Sequence, residues 1–222
     1  MYSYNDGSVW AVTSSYVPLP GAKVIAEVWD VTGVRLESAS FTVPAMLGDA
    51  TMHVGSLSQP TNASAAVYFV RVRVQTGDGG ASAWNTYWLS TTPDVLEWDQ
   101  SNFYITPCSS YADFTALQHL PPSNVSVTTH TAEARGGSAT TQTTVSLVNH
   151  GGVAFAGNVV ITAGSGGAEV IPVQWTDNFV TLMPGDTLSL TAAYDCDAVC
   201  QREGPAVAIS WWNDVVGTSA TE

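Results

Sequence analysis

The chain has 222 residues, enough for one large β domain or for two domains of about 100 residues each. Only 11% of the residues are charged, and the formal net charge is −13 with six Lys and Arg residues. A polyanion-binding surface requires clustered cations, so nucleic acid is not expected as a partner. No run of about 18 apolar residues occurs, which argues against a membrane span. The acidic charge would steer a cationic sugar towards the chain, although it would equally serve solubility.

The first half of the chain reads as short strands separated by polar turns. Val24, Ala26 and Val28 would share one face of a strand, while Arg71 and Arg73 would lie on the cationic face of another. The predicted strands run over Ser8–Tyr16, Ala22–Asp30, Val34–Val43, Thr51–Val54, Val67–Gln75 and Trp84–Leu89. About seven short strands in about 100 residues are typical of an immunoglobulin-like β-sandwich, which we predict for residues 1–107.

The segment between the two halves, residues 108–120, is predicted to be a short helical linker. Ser110 followed by Asp113 fits an N-cap pattern. Pro121 and Pro122 come next and would stop the helix, because proline cannot continue it.

The second half repeats the strand pattern. The predicted strands run over Val125–Thr131, Thr140–Asn149, Gly157–Thr162, Ala168–Val173, Phe179–Leu182, Thr187–Tyr194 and Ala206–Trp212. Pro184, Gly185 and Asp186 suit a type II turn in which glycine takes the positive φ. The predicted fold class is therefore all-β, with two tandem immunoglobulin-like β-sandwiches, residues 1–107 and 121–222, joined by the helical linker.

Two segments of the sequence carry a family resemblance. The first runs from Tyr87 to Leu120, YWLSTTPDVLEWDQSNFYITPCSSYADFTALQHL, and the second from Pro172 to Asp186, PVQWTDNFVTLMPGD. Both resemble the C-terminal region of exo-β-D-glucosaminidases of glycoside hydrolase family 2 and of the related plant-type mannosylglycoprotein endo-β-mannosidases. In that family the first segment closes one immunoglobulin-like domain and enters the final one, to which the second segment belongs. The resemblance does not extend to a catalytic barrel.

The resemblance implies that the chain is the non-catalytic C-terminal accessory region of a retaining β-glycoside hydrolase, and that it is inactive alone. The expected partners are the catalytic barrel and the N-terminal domains of the parent enzyme. No catalytic, cofactor-binding or metal-binding residue is assigned to this chain. Asp94, Glu97 and Asp99 lie close in sequence and would form an acid/base set, but the matching family segment lies outside the barrel, which favours a solvated junction loop.

A stand-alone carbohydrate-binding module is the alternative hypothesis. Trp175, Trp211 or Trp212 would then stack against a sugar, with Asp177 as a hydrogen-bonding neighbour of Trp175. The same aromatic residues would equally serve core and interface packing. Adjacent strand residues face opposite ways, so one of Trp211 and Trp212 is expected to point outward. A surface adhesion protein is a third hypothesis, because sandwiches commonly serve that role, but no anchor or sorting signal is visible.

The cysteines leave two alternatives open. Cys196 and Cys200 would close a small disulfide loop in an oxidising compartment, or would remain free thiols. Cys108 is expected to be a small buried residue.

The expected location follows from the resemblance rather than from a leader sequence. Met1 is followed directly by strand-like sequence, which taken alone implies a cytoplasmic protein. Taken with the resemblance, it implies a C-terminal piece of a longer parent in the secretory or vacuolar pathway. N-glycosylation sequons at Asn62 and Asn124 would suit such a parent. The choice between glucosamine and mannose linkages is not specified by this part of the sequence.

Overall fold

The computed structural model describes residues 1–60, 66–76, 82–132, 140–195 and 204–214. The chain divides into two compact units, Met1–His119 and Leu120–Glu222. Strands dominate both units, and the longest helix in the described ranges has five residues. The predicted all-β class is confirmed.

Unit 1 contains eight strands among its described residues. They are β1 (Ser8–Thr13), β2 (Ala22–Asp30), β3 (Arg35–Val43), β4 (Ala50–Ser56), β5 (Val67–Thr76), β6 (Ser82–Ser90), β7 (Val95–Leu96) and β8 (Cys108–Ser110). A four-stranded sheet in the order β3-β2-β5-β6 lies opposite a two-stranded sheet of β1 and β4, and β7 pairs with β8. All these pairings are antiparallel.

The core of unit 1 lies between the larger sheet and the β1–β4 pair. Val24, Ala26 and Val28 of β2 are buried in one cluster with Val70 of β5 and Val9 of β1. Successive strand residues point to opposite faces, so the alternating apolar residues of the sequence form one continuous inner face. The predicted alternation in β2 is confirmed.

Unit 2 contains seven strands among its described residues. They are β9 (Val125–Ala132), β10 (Thr140–Asn149), β11 (Ala154–Ala163), β12 (Val173–Trp175), β13 (Val180–Leu182), β14 (Thr187–Asp195) and β15 (Pro205–Ser210). They form two antiparallel sheets, in the orders β12-β14-β10-β9 and β13-β11-β15. Val145 and Leu147 of β10 and Ile161 of β11 are fully buried. Four strands in one sheet and three in the other agree with the predicted immunoglobulin-like pattern.

The turn before β14 follows the sequence prediction. Gly185 has a φ of +80°, and the Asp186 N–H donates to the Met183 carbonyl oxygen at 3.1 Å. Pro184 and Gly185 therefore occupy the two central positions of a tight turn in which glycine relieves the strain of a positive φ.

The predicted helical linker is not confirmed. Cys108–Ser110 pairs with β7 as a strand, and only Thr115–His119 forms a 3₁₀ helix. Asp113 rather than Ser110 caps this helix, because its Oδ1 accepts hydrogen bonds from the Thr115 N–H at 2.9 Å and the Thr115 hydroxyl at 2.7 Å.

The predicted strand Ala168–Val173 was also misplaced. Only Glu169 forms an isolated bridge, with Thr162, and β12 begins at Val173.

Candidate functional site

Unit 1 exposes a group of large apolar side chains in the hairpin formed by residues 95–111, which we call the aromatic hairpin. The exposed fractions of Trp98, Phe103, Tyr104, Ile105 and Tyr111 are 70%, 95%, 88%, 61% and 76%. Apolar side chains grouped at a surface in this way mark an interaction site, whereas single exposed ones need no explanation.

Local hydrogen bonds hold the aromatic hairpin in one conformation. The Glu97 N–H donates to the Pro107 carbonyl oxygen at 2.9 Å, next to the β7–β8 pairing. At the tip, Asn102 Oδ1 accepts from the N–H groups of Tyr104 and Ile105 at 2.9 and 3.3 Å. The Asn102 N–H donates in turn to the Ile105 carbonyl oxygen at 3.0 Å. The exposed rings are therefore presented by an ordered backbone, which lowers the entropy cost of binding.

Of the three carboxylates in this region, Asp94 stabilises the hairpin. Asp94 Oδ1 accepts a hydrogen bond from the Ala112 N–H at 2.7 Å, which ties the start of the hairpin to its end. Asp99 lies exposed in the 3₁₀ turn Trp98–Gln100, and Glu97 is half-buried just before it. Retaining hydrolysis requires two carboxyl groups about 5 Å apart, usually at the strand ends of a barrel. The described residues form sandwiches rather than a barrel, so this arrangement fits a structural role.

A charged cluster on the other face of the larger sheet of unit 1 was missed by the sequence analysis. Glu27 and Arg71 are buried, and Glu27 Oε2 accepts hydrogen bonds from Arg71 Nη2 at 2.8 Å and Nε at 3.1 Å. Arg35 Nη1 donates to Glu27 Oε1 at 3.0 Å, and both guanidinium groups lie over the Trp29 ring. The register between β2 and β5 opposes Glu27 to Arg71, and this long-range pairing leaves no local signal in the sequence.

The charge balance of this cluster favours the ionised form of Glu27. Burial by itself raises the pKa of the Glu27 carboxyl, but the hydrogen bonds and the charge of Arg71 outweigh it. With further contributions from Arg35 and Arg73, the pKa lies below its ordinary value. The cluster is thus a satisfied ion pair rather than a carboxyl group poised to donate a proton.

The structure places Trp175 and Asp177, the candidate sugar contacts around β12, in different surroundings. Trp175 ends β12 and packs against a buried cluster that includes Ile161. Asp177 is exposed and accepts a hydrogen bond from the Asn178 N–H. Asn178 is bonded at both ends to the backbone of Val159, at 2.9 and 2.8 Å. This asparagine anchors the loop before β13 to β11.

Trp211 and Trp212 have different environments. Trp211 is 9% exposed and its indole covers Gly157, where a Cβ would overlap the ring. Trp212 is 60% exposed and makes an edge contact with the Phe155 ring at 6.4 Å between centroids. Of these two tryptophans, only Trp212 presents most of its surface for contact with another molecule.

The remaining candidate residues are the two predicted N-glycosylation sites and the three cysteines. Asn124 is exposed at the start of β9, so its sequon stays a prediction. Asn62, Cys196 and Cys200 lie outside the described residues. Cys108 is a free, half-buried cysteine in β8.

Among the described residues, no group of three or more His, Cys, Asp and Glu side chains could hold a metal ion. Among the helices of the same ranges, none is long and apolar enough to cross a membrane.

The second half of the chain matches a known protein family. Residues 103–214 match the family model described as the exo-β-D-glucosaminidase Ig-fold domain. The chain belongs to this exo-β-D-glucosaminidase Ig-fold family. The sequence resemblance is confirmed, and the matched range runs from the tip of the aromatic hairpin to the end of the described residues.

Curated relatives of this Ig-fold chain are longer enzymes. It is 33% identical over 214 residues to the exo-β-D-glucosaminidase of Streptomyces avermitilis, covering 96% of this chain and 24% of that protein. It is 32% identical over 196 residues to the exo-β-D-glucosaminidase of Hypocrea virens, covering 85% of this chain and 21% of that protein. The chain thus spans about a quarter or less of the length of these relatives.

A solved enzyme structure also matches the Ig-fold chain over nearly its whole length. The exo-chitosanase CsxA of Amycolatopsis orientalis matches it with a TM-score of 0.87 and 31% sequence identity. The match covers 96% of this chain and 25% of CsxA. Both halves of the chain therefore have counterparts in CsxA, and the predicted immunoglobulin-like β-sandwich fold is confirmed.

Proposed function

We propose that the chain is the non-catalytic C-terminal accessory part of a larger hydrolase that cleaves β-linked glucosamine, with both catalytic carboxylates on other parts of the polypeptide. One observation carries this proposal: the chain matches only 20–24% of the length of exo-β-D-glucosaminidases, in their Ig-fold part. The buried Glu27 of unit 1 is held in an ion pair with Arg71, which is consistent with a supporting rather than a catalytic role.

The aromatic hairpin is the surface with which the chain would support the rest of that enzyme. Phe103 and Tyr104 are almost fully exposed in this chain. Burying one such side chain against a partner domain contributes about 1.5–3 kcal/mol. Because the hairpin is already ordered, little of that gain is lost to ordering the loop. The expected occupants are the catalytic barrel and the N-terminal domains of the parent enzyme.

The test is the double substitution Phe103→Ser with Tyr104→Ser. In the isolated chain, the free energy of unfolding should change by no more than about 0.5 kcal/mol, because both rings lie at the surface. In the longer polypeptide, the same substitutions should lower thermal stability clearly. The matched control is Tyr16→Ser with Val17→Ser, two residues that are 93% and 70% exposed away from the hairpin. Equal effects of the two double variants in the longer polypeptide would argue against docking through the hairpin.

The alternative function, a carbohydrate-binding module, is tested by a separate binding experiment. Trp175, Asp177, Trp211 and Trp212 remain candidate contacts for sugar or for a neighbouring domain. Chito-oligosaccharides can be titrated into the isolated chain while tryptophan fluorescence is followed. A flat response fits the supporting role. Saturable binding that is lost in Trp212→Ala would instead assign the chain to the binding modules.

A further inference from the structure

Among the described residues, the smaller sheet of unit 1 leaves most of the outer edge of β1 unpaired. The smaller sheet contains only β1 and β4 in the part of the chain that the structure describes. The opposite sheet has four strands. β1 pairs with β4 along one side, and in the described part of the chain its other side carries only the short segment formed by Met1, Tyr2 and Ser3. An unpaired strand edge is a template for another strand.

The first residues of the chain already begin that pairing. Trp10 N–H donates to the Met1 carbonyl oxygen at 2.9 Å, and the Met1 amino group donates to the Trp10 carbonyl oxygen at 2.8 Å. Ser3 N–H donates to the Ser8 carbonyl oxygen at 2.9 Å. In an antiparallel ladder, hydrogen-bonded residues alternate along each strand, so Val12 is the next residue of β1 whose N–H and carbonyl face this edge.

An apolar groove continues beside the same edge. It has a volume of about 380 Å³ and is lined by residues of β1, β2, β5 and β6. Representative lining residues are Met1, Trp10, Val12, Val74, Thr76 and Trp84. The lining side chains among the described residues are uncharged. Among the described residues, the buried Thr76 hydroxyl has no hydrogen-bond partner.

The pattern of burial fits a strand that continues the pairing. Tyr2 is 3% exposed and its side chain belongs to the core cluster of unit 1. Side chains along a strand alternate between faces, so a residue two positions before Tyr2 would also face inward, above the groove.

We propose that this edge groove, formed by the free side of β1 and the apolar cavity beside it, is the seat of one more β-strand of the larger polypeptide. The strand is continuous with Met1, antiparallel to β1, and apolar at every second residue. Curated relatives are four to five times as long as the matched region, so polypeptide for this strand is available in such an enzyme. The inference rests on the proposed function only in taking the strand from the longer enzyme.

The test adds the missing strand to the chain. Ten residues that precede the matched region in the Streptomyces avermitilis relative are fused before Met1, and amide hydrogen exchange is followed by NMR. The Val12 amide should become protected by at least about 100-fold relative to the unextended chain, and the midpoint of thermal unfolding should rise. The matched control is an extension of equal length in which every apolar residue is replaced by serine.

Each other outcome overturns the proposal. Unchanged Val12 exchange in the fused chain would show that no strand sits at this edge. Equal protection by the serine extension would remove the role of the apolar groove. Protection that appears in the unextended chain and grows with protein concentration would assign the edge to a second copy. These results are independent of enzymatic turnover, so failure of the strand proposal and failure of the proposed function are distinguishable.

Discussion

Asn213 is expected to be the most sensitive polar residue of unit 2. Its side chain is buried, and Nδ2 donates to the carbonyl oxygens of Pro121 at 2.6 Å and Val153 at 2.8 Å. Its Oδ1 accepts from the Phe155 N–H at 3.0 Å. One side chain thus joins the first residues of the unit, the start of β11 and the C-terminal segment.

The size of the effect follows from these three hydrogen bonds. Each contributes about 0.5–1.5 kcal/mol net, and the groups left unsatisfied after truncation add a desolvation penalty. Asn213→Ala should therefore lower the free energy of unfolding of unit 2 by about 3 kcal/mol or more. For a unit of about 100 residues, this corresponds to a decrease in Tm of about 12 °C or more.

The assay is hydrogen exchange in the whole chain, with the amides of Leu147 and Ile161 reporting on unit 2 and that of Phe69 on unit 1. Asn124→Ala is the matched control, because Asn124 is exposed in the same unit and its loss should cost no more than about 0.5 kcal/mol. The reasoning would be refuted if Asn213→Ala left the protection of Leu147 and Ile161 within tenfold of the parent chain. It would also be refuted if Asn124→Ala had the same effect.

Three further outcomes are expected. The pKa of Glu27 in the folded state lies below the ordinary value of 4.5. The ionised Glu27 therefore stabilises unit 1 above pH 4.5, and this stabilisation is lost as the pH falls further. Glu27→Gln should make the stability of unit 1 less dependent on pH in this acidic range. Gly157→Ala should destabilise unit 2 by about 1–3 kcal/mol in urea titrations, because the new Cβ would overlap the Trp211 indole. Burial is the main cause, and the neighbouring Tyr68 the second, that raises the pKa of Tyr2 to about 12. The folded state should therefore lose stability as the pH rises above about 10, and a Tyr2→Phe variant should lose less.

Hydropathy alternation made the long strands predictable. The bounds of β2 and β10 agree with the sequence prediction, because apolar residues recur at every second position on the inner face of each strand. The turn at Gly185 was also predictable, since proline followed by glycine leaves few other backbone conformations.

The β7–β8 hairpin was not predictable from the same signals. Its strands have only two and three residues, and Val95 and Leu96 are exposed, so neither strand shows a buried face. Hydrogen bonds from backbone N–H groups to the side chains of Asn102 and Asp94 hold the hairpin instead, and such bonds leave no periodic pattern in the sequence.

The part of the candidate site that depends on long-range register could not be predicted either. Glu27 and Arg71 are 44 positions apart, and their pairing follows from the register between β2 and β5. Asn213 bonds to residues 58 to 92 positions away. Family resemblance, in contrast, was visible in the sequence directly, because PVQWTDNFVTLMPGD is a continuous segment that needs no register.

The most direct test of the account is turnover by the purified 222-residue chain. Chitosan oligomers and a nitrophenyl β-D-glucosaminide are incubated with the chain, beside a full-length exo-β-D-glucosaminidase as the positive control. We predict no release of glucosamine or nitrophenol above the buffer rate. Turnover that follows the chain through purification and is abolished by replacing Asp94, Glu97 or Asp99 would contradict the account, because it would place the catalytic chemistry within these residues.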